Sequence, residues 1–210
     1  MGQRISYYRN NFKKGFKEII FNNFSAFKEW YLEMDNSSME EFDEPFGNET
    51  LIIHLKQSPD LKTDFPNLDK KLVDELTSEF IGSYCDLTDR ENKILELFGP
   101  SINTRRYLES DEMILKTNDE VLIRLWNFII KGRSLSDNGY FHSFTNDYKI
   151  GFLTYDEQRI LKTKIENHFG NIELIRQISG PYAEIVGLEC VLQVLNEMTA
   201  DNKDLITAIE

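Results

Sequence analysis

The chain has 210 residues, 36 acidic and 24 basic side chains, a net charge of -12, and 40% apolar and 12% aromatic content. A chain of this size and composition buries a core without disulfide or metal staples, which excludes global disorder. Its negative field repels nucleic-acid backbones and anionic membranes and attracts basic protein surfaces.

In chain order, the first element is a short β-prone run, Gln3 to Tyr8. Met1-Gly2-Gln3-Arg4-Ile5-Ser6 also fits the pattern for N-myristoylation, with five basic residues ahead of the first acid, Glu18, as a second, electrostatic anchor. The charges at Arg4, Arg9, Lys13 and Lys14, followed by Phe16-Lys17-Glu18, do not make a signal peptide. Phe12, Phe16, Ile19, Ile20, Phe24, Phe27 and Tyr31 recur at helical spacing and predict one helix, or two abutting at Asn22-Asn23. Its phenylalanines read as core, because a platform for stacked bases needs a positive groove that the overall charge opposes.

Between Glu33 and Glu49 the chain carries seven acids and neither lysine nor arginine. With Ser37, Ser38, Pro45 and Gly47 interspersed, this stretch predicts an exposed loop. It lacks the alternating oxygen ligands, central glycine and terminal glutamate of a calcium loop. The functional expectation is a docking surface for a basic protein, formed by Asp35, Glu40, Glu41, Asp43, Glu44 and Glu49.

Leu51 to Leu55 is too short to assign, and Pro59 and Pro66 bracket a turn-rich link. Leu68, Leu72, Val73, Leu76, Phe80 and Tyr84 then line one face of a helix. Thr88-x-x-Glu91, Thr117-x-x-Glu120 and Thr154-x-x-Glu157 each match a capping box. They predict helices through Ile94, Leu95 and Phe98 to a stop at Gly99-Pro100, through Val121 to Ile129 closing near Gly132, and through Ile160 to Phe169 closing at Gly170. Leu188 to Met198 keeps helical spacing, Asp201-Asn202 makes a turn, and Leu205 to Ile209 reads as a buried strand. The fold class expected is α/β (α+β): a small mixed sheet covered by amphipathic helices, in one domain over residues 1–210, with any subdivision near residues 40–67.

Chemistry-bearing patterns are sparse. No glycine-rich phosphate loop, nucleophile elbow or zinc-protease helix occurs, and neither cofactor nor metal is expected. Cys85 and Cys190 stand far apart without Cys-x-x-Cys spacing and read as small hydrophobes of a reducing compartment. His168, in a last helical turn, reads as a cap. His142, in Tyr140-Phe141-His142-Ser143-Phe144 with Asp147 and Tyr148 nearby, is the one imidazole that a carboxylate could orient as a general base.

Met1-Gly2 leading into Ile5-Ser6-Tyr7-Tyr8, then Ile150-Gly151-Phe152-Leu153-Thr154 opening a helix with Glu157, then a final helix running into a C-terminal strand, resemble the organisation of the bacterial YfbM-like family. Trp126 matches a tryptophan that the family places on a central helix, whereas the acidic stretch departs from its pattern. That family is of unknown function, so the resemblance implies a bacterial cytoplasmic α/β domain and no activity. The expectation for function is a noncatalytic protein-binding module, in the manner of an acidic inhibitor or immunity-like protein, that engages neither nucleic acid nor membrane as an integral protein. The alternative is a hydrolase-like enzyme with a site around His142.

Overall fold

The computed structural model describes residues 4–10, 15–58, 60–85, 95–103, 105–137, 139–142, 149–179 and 186–209. In order these form β1 (Arg4–Asn10), α1 (Phe16–Phe42), α2 (Glu49–Gln57), α3 (Leu61–Asp64), α4 (Lys70–Glu79), β2 (Leu95–Asn103), α5 (Arg105–Lys116), α6 (Glu120–Ile130), β3 (Lys149–Leu153), α7 (Tyr155–Phe169), α8 (Ile172–Ser179), α9 (Val186–Asp201) and β4 (Leu205–Ile209). The strands make one four-stranded sheet in the order β2-β1-β4-β3, and each pairing is antiparallel. The architecture is the expected α+β one, a small sheet with helices around it.

Strand periodicity explains why both faces of this sheet are covered. Successive side chains point to opposite faces, so Leu205 and Ile209 enter one core while Ile206 and Ala208 enter the other. Ile5 faces Ile209 across β1–β4, and both join the first core; Tyr8 faces Ile206, and both join the second. The first core is filled from α5, α6, α7, α8 and α9, the second from α1, α2, α3 and α4. Inside the first, the Tyr7 and Tyr107 hydroxyls lie 2.6 Å apart, and Tyr107 donates to the buried Cys190 sulfur at 3.6 Å. At Gly151 of β3, an added Cβ would collide with the Phe128 carbonyl oxygen and the Thr207 hydroxyl. Only glycine lets the end of α6 lie this close to the sheet.

Several expectations need correction. Of the stretch expected as a loop, only residues 43–48 lie outside a helix: α1 continues unbroken past Asn22-Asn23 to Phe42, because Glu, Met and Ser tolerate a helix and the i+3/i+4 stripe persists. The stop expected at Gly99-Pro100 closes no helix. Residues 95–103 form β2, an edge strand whose register against β1 shifts between Ile5 and Tyr7, opposite Phe98 and Ile102. Proline and glycine are tolerated at such an irregular edge. Thr88 and Glu91 lie outside the described residues, as do Met1-Gly2 and Phe12.

Thr117 does not cap α6. Its hydroxyl donates to the Ile114 carbonyl, and Asp119 accepts the Leu122 amide instead, at 3.1 Å. The box at Thr154 and Glu157 forms with both of its reciprocal bonds. Leu51 to Leu55 belongs to α2, which Asn48 caps by accepting from the Thr50 and Leu51 amides.

Candidate functional site

The acidic segment is built by α1 outrunning its own packing. The helix buries Phe16, Ile19, Ile20, Phe24, Phe27, Tyr31 and Asp35 at i+3/i+4 steps. The same face continues to Met39 and Phe42, but the body ends first, leaving Met39 45% and Phe42 64% exposed. Asp43 then adopts a left-handed conformation at φ 56° and returns its amide to the Met39 carbonyl, which ends the helix. Gly47, at φ 73°, completes the reversal into α2. Phe46 packs edge-on to Tyr31 and Trp30, with ring centroids 5.3 and 5.9 Å away. In the sequence, the spacing of Met39 and Phe42 from Tyr31 and Asp35 carries the signal that they extend this face.

Of the six acids expected to face a partner, Glu40, Glu41, Asp43, Glu44 and Glu49 are exposed. Asp35 is not: it is buried and accepts from the Phe46 amide at 3.3 Å and the Lys56 ammonium at 3.1 Å. Its charge is taken up in closing the α1–α2 hairpin, so it belongs to the support of the surface and not to its face.

Glu40, Glu41, Asp43 and Glu44 crowd the negative end of the α1 dipole, whose last turn contains no basic residue, whereas Glu49 stands in the first turn of α2. Acids there are unfavourable, since the unsatisfied carbonyls already carry partial negative charge. Near Tyr31 and Gly47, Glu79 on α4 is held above the ordinary carboxylate range, first by burial and also by the neighbouring Glu75, with the Ser83 hydroxyl opposing the shift. Burial likewise pushes the Tyr31 phenol up, with the Glu79 charge adding to the effect.

The histidines fall at three separate places. His142 turns its Nε2 to Asp137 at 3.2 Å, and its backbone amide donates to Asp74 on α4. The orienting carboxylate is thus Asp137; Asp147 lies outside the described residues, as do Ser143, Phe144 and Tyr148. Asp137 also accepts from Lys70 at 2.6 Å, and that bond is the main reason its carboxyl lies well below the usual range. His168, in the last turn of α7, contacts Asp119 at 3.3 Å beside Lys164. On α2, burial lowers the His54 imidazole. Among the described residues, no group of three His, Cys, Asp or Glu side chains is placed to hold a metal ion.

Comparison with protein-family models, with curated proteins and with solved structures finds no match for this chain. Among the described residues, no helix is long and apolar enough to cross a membrane.

Proposed function

We propose that this is a noncatalytic protein-binding module that engages a basic protein through the end of α1, as an acidic inhibitor or immunity-like protein of the bacterial cytoplasm does. The observation that carries the reading is the placement of exposed Phe42 and Met39 beside Glu40, Glu41, Asp43 and Glu44 at a helix terminus whose last turn holds no basic residue. Charge complementarity raises the rate of encounter, while buried aromatic and thioether anchors hold the complex. An arrangement that works against local helix stability and leaves large apolar side chains in water is the kind of local inconsistency found at functional surfaces.

The test is affinity capture from an extract of the cells that make the protein, at low and high ionic strength, with mass spectrometry of what is retained. A basic protein retained at low salt, and lost when Glu40, Glu41 and Glu44 are changed to lysine, is the expected result. Retention that ignores these substitutions counts against the reading.

A second reading rests on the 3.2 Å contact between His142 and Asp137, a carboxylate-oriented imidazole on a partly exposed loop. It predicts hydrolase turnover that His142→Ala removes, whereas the binding reading predicts no turnover in either protein.

A further inference from the structure

The corner between α2 and α3 gathers Lys28, His54 and Asp64 around one buried serine. Ser58 ends α2 by returning its amide to the His54 carbonyl at 2.8 Å. Its carbonyl accepts from Lys28 of α1 at 2.7 Å, and its hydroxyl donates to the Asp64 carboxylate of α3. The Nε2 of His54 is shielded from water in this corner and makes no hydrogen bond. An unprotonated Nε2 leaves only a lone pair there. A protonated one places an N–H bearing part of a full positive charge where nothing receives it.

The charges around the ring decide how it answers to acid. Burial acts most strongly and disfavours the charged ring, the Asp64 carboxylate opposes that effect, and the Lys28 ammonium adds to it, so that the balance lowers the imidazole. The C-terminal dipole of α2 favours a positive ring, but Lys56 in the same turn, paired with Asp35, already supplies a positive charge. No described charge of α4, which also packs on α2, acts on the ring.

We propose that His54 makes this corner an acid-sensitive latch, in which protonation of Nε2 breaks the link between Ser58 and Asp64 and releases α3 from the end of α2. The new N–H needs an acceptor. It is met either by Asp64, which must then leave the Ser58 hydroxyl, or by water, which must enter the corner. Because α3 is a single turn, its release uncovers Leu61 and Phe65, both buried in the second core. In the open corner the ring titrates at the ordinary imidazole value, and in the closed corner below it. As pH falls through this window the open form gains protons that the closed form does not, and the corner weakens. The latch lies at the opposite end of α2 from the acidic tip and is independent of the binding reading.

Amide hydrogen exchange of the full chain, with each rate divided by the intrinsic rate at that pH, reads local opening. The reporters are the amides of Ser58, Asp64 and Phe65, which bond to the His54, Asp60 and Leu61 carbonyls. Their protection should fall at least about twofold between roughly pH 7.5 and pH 5.5, the range that brackets an ordinary imidazole. His54→Gln and His54→Leu should each abolish that fall. Nuclear magnetic resonance of the parent chain should show the His54 ring titrating below the ordinary value, and Lys28→Gln should move its midpoint upward. Protection that does not change with pH, a fall that persists in the His54 variants, or a His54 ring that titrates at or above the ordinary value overturns the proposal. The ring titration in the parent decides the matter even where a variant fails to fold.

Discussion

The Asp35 carboxylate on α1 and the Lys56 ammonium on α2 meet at 3.1 Å, and the two ends of this pair are unequal: the carboxylate is 4% exposed and the ammonium 54%. Asp35 also accepts the Phe46 amide from the turn between the two helices. Removing each partner should therefore have different consequences. Asp35→Ala strands a part-buried amide and should cost about 1–3 kcal/mol, while Lys56→Ala should cost less than about 1 kcal/mol, because the ammonium is largely in water. Urea denaturation of the two variants checks this. On the binding reading, Asp35→Asn should leave capture of a basic partner nearly unchanged, because the buried carboxylate offers a partner no charge.

Stability and binding should move in opposite directions at the α1 terminus. Glu40→Lys and Glu41→Lys place positive charge at the negative end of the helix and should each stabilise the chain by roughly 0.3–1 kcal/mol at low salt. The same substitutions should weaken capture of a basic partner. Thermal melts in low and high salt measure the first effect, which should shrink as salt rises.

Arg133 is the third place where a single residue matters. Its guanidinium lies 4.4 Å from the ring centroids of both Phe128 and Phe152 and reaches Glu157 at 2.6 Å. Arg133→Met fills much of the space but deprives the capping-box glutamate of its cation, and should cost about 3 kcal/mol. Arg133→Lys should recover only part of this, since an ammonium lacks the planar face that two rings can sandwich. Chemical denaturation of both variants gives the comparison.

Two carboxylates near the start of α7 should titrate stability with opposite signs. Burial raises Glu157, but the Arg133 guanidinium and the Thr154 amide outweigh it and hold the group below its ordinary value. Its contribution is therefore present above the unfolded carboxylate pKa and is lost as pH falls through the lower folded value. Asp204 accepts the Tyr155 and Phe16 amides, which oppose the shift, yet burial keeps it raised overall. Its contribution is present below the unfolded pKa and is lost as pH rises through the folded one. In denaturation between roughly pH 3 and 6, Asp204→Asn should thus lose stability relative to the parent at the acid end and regain it as pH rises. Glu157→Gln should show the reverse trend.

Local rules were legible where short-range chemistry decides the outcome. The Thr154 box closes within four residues, and the β-branched run at Leu205 to Ile209 is buried at every position. The α1 extension is masked in the sequence by its run of like charges, although the apolar period continues through Met39 and Phe42 and the first proline is Pro45. At β2, Ile94, Leu95 and Phe98 carry a helical period while Leu95-Glu96-Leu97 alternates, and pairing with β1 settles the conflict in favour of a strand. The choice between Thr117 and Asp119 as a cap depended on the tight turn at Asn118, with φ 53°. That Asp137 orients His142 depends on the loop folding back through the bridge between Arg133 and Tyr140, a tertiary event without a local signature.

The most direct measurement is the association rate of a captured partner as ionic strength is varied, for the parent chain and for the Glu40→Lys, Glu41→Lys and Glu44→Lys triple variant. If the α1 tip steers a basic protein, the parent rate falls steeply with added salt, and the variant associates slowly with a flat salt dependence. Equal rates and equal salt slopes for the two proteins would contradict a role for this surface in binding.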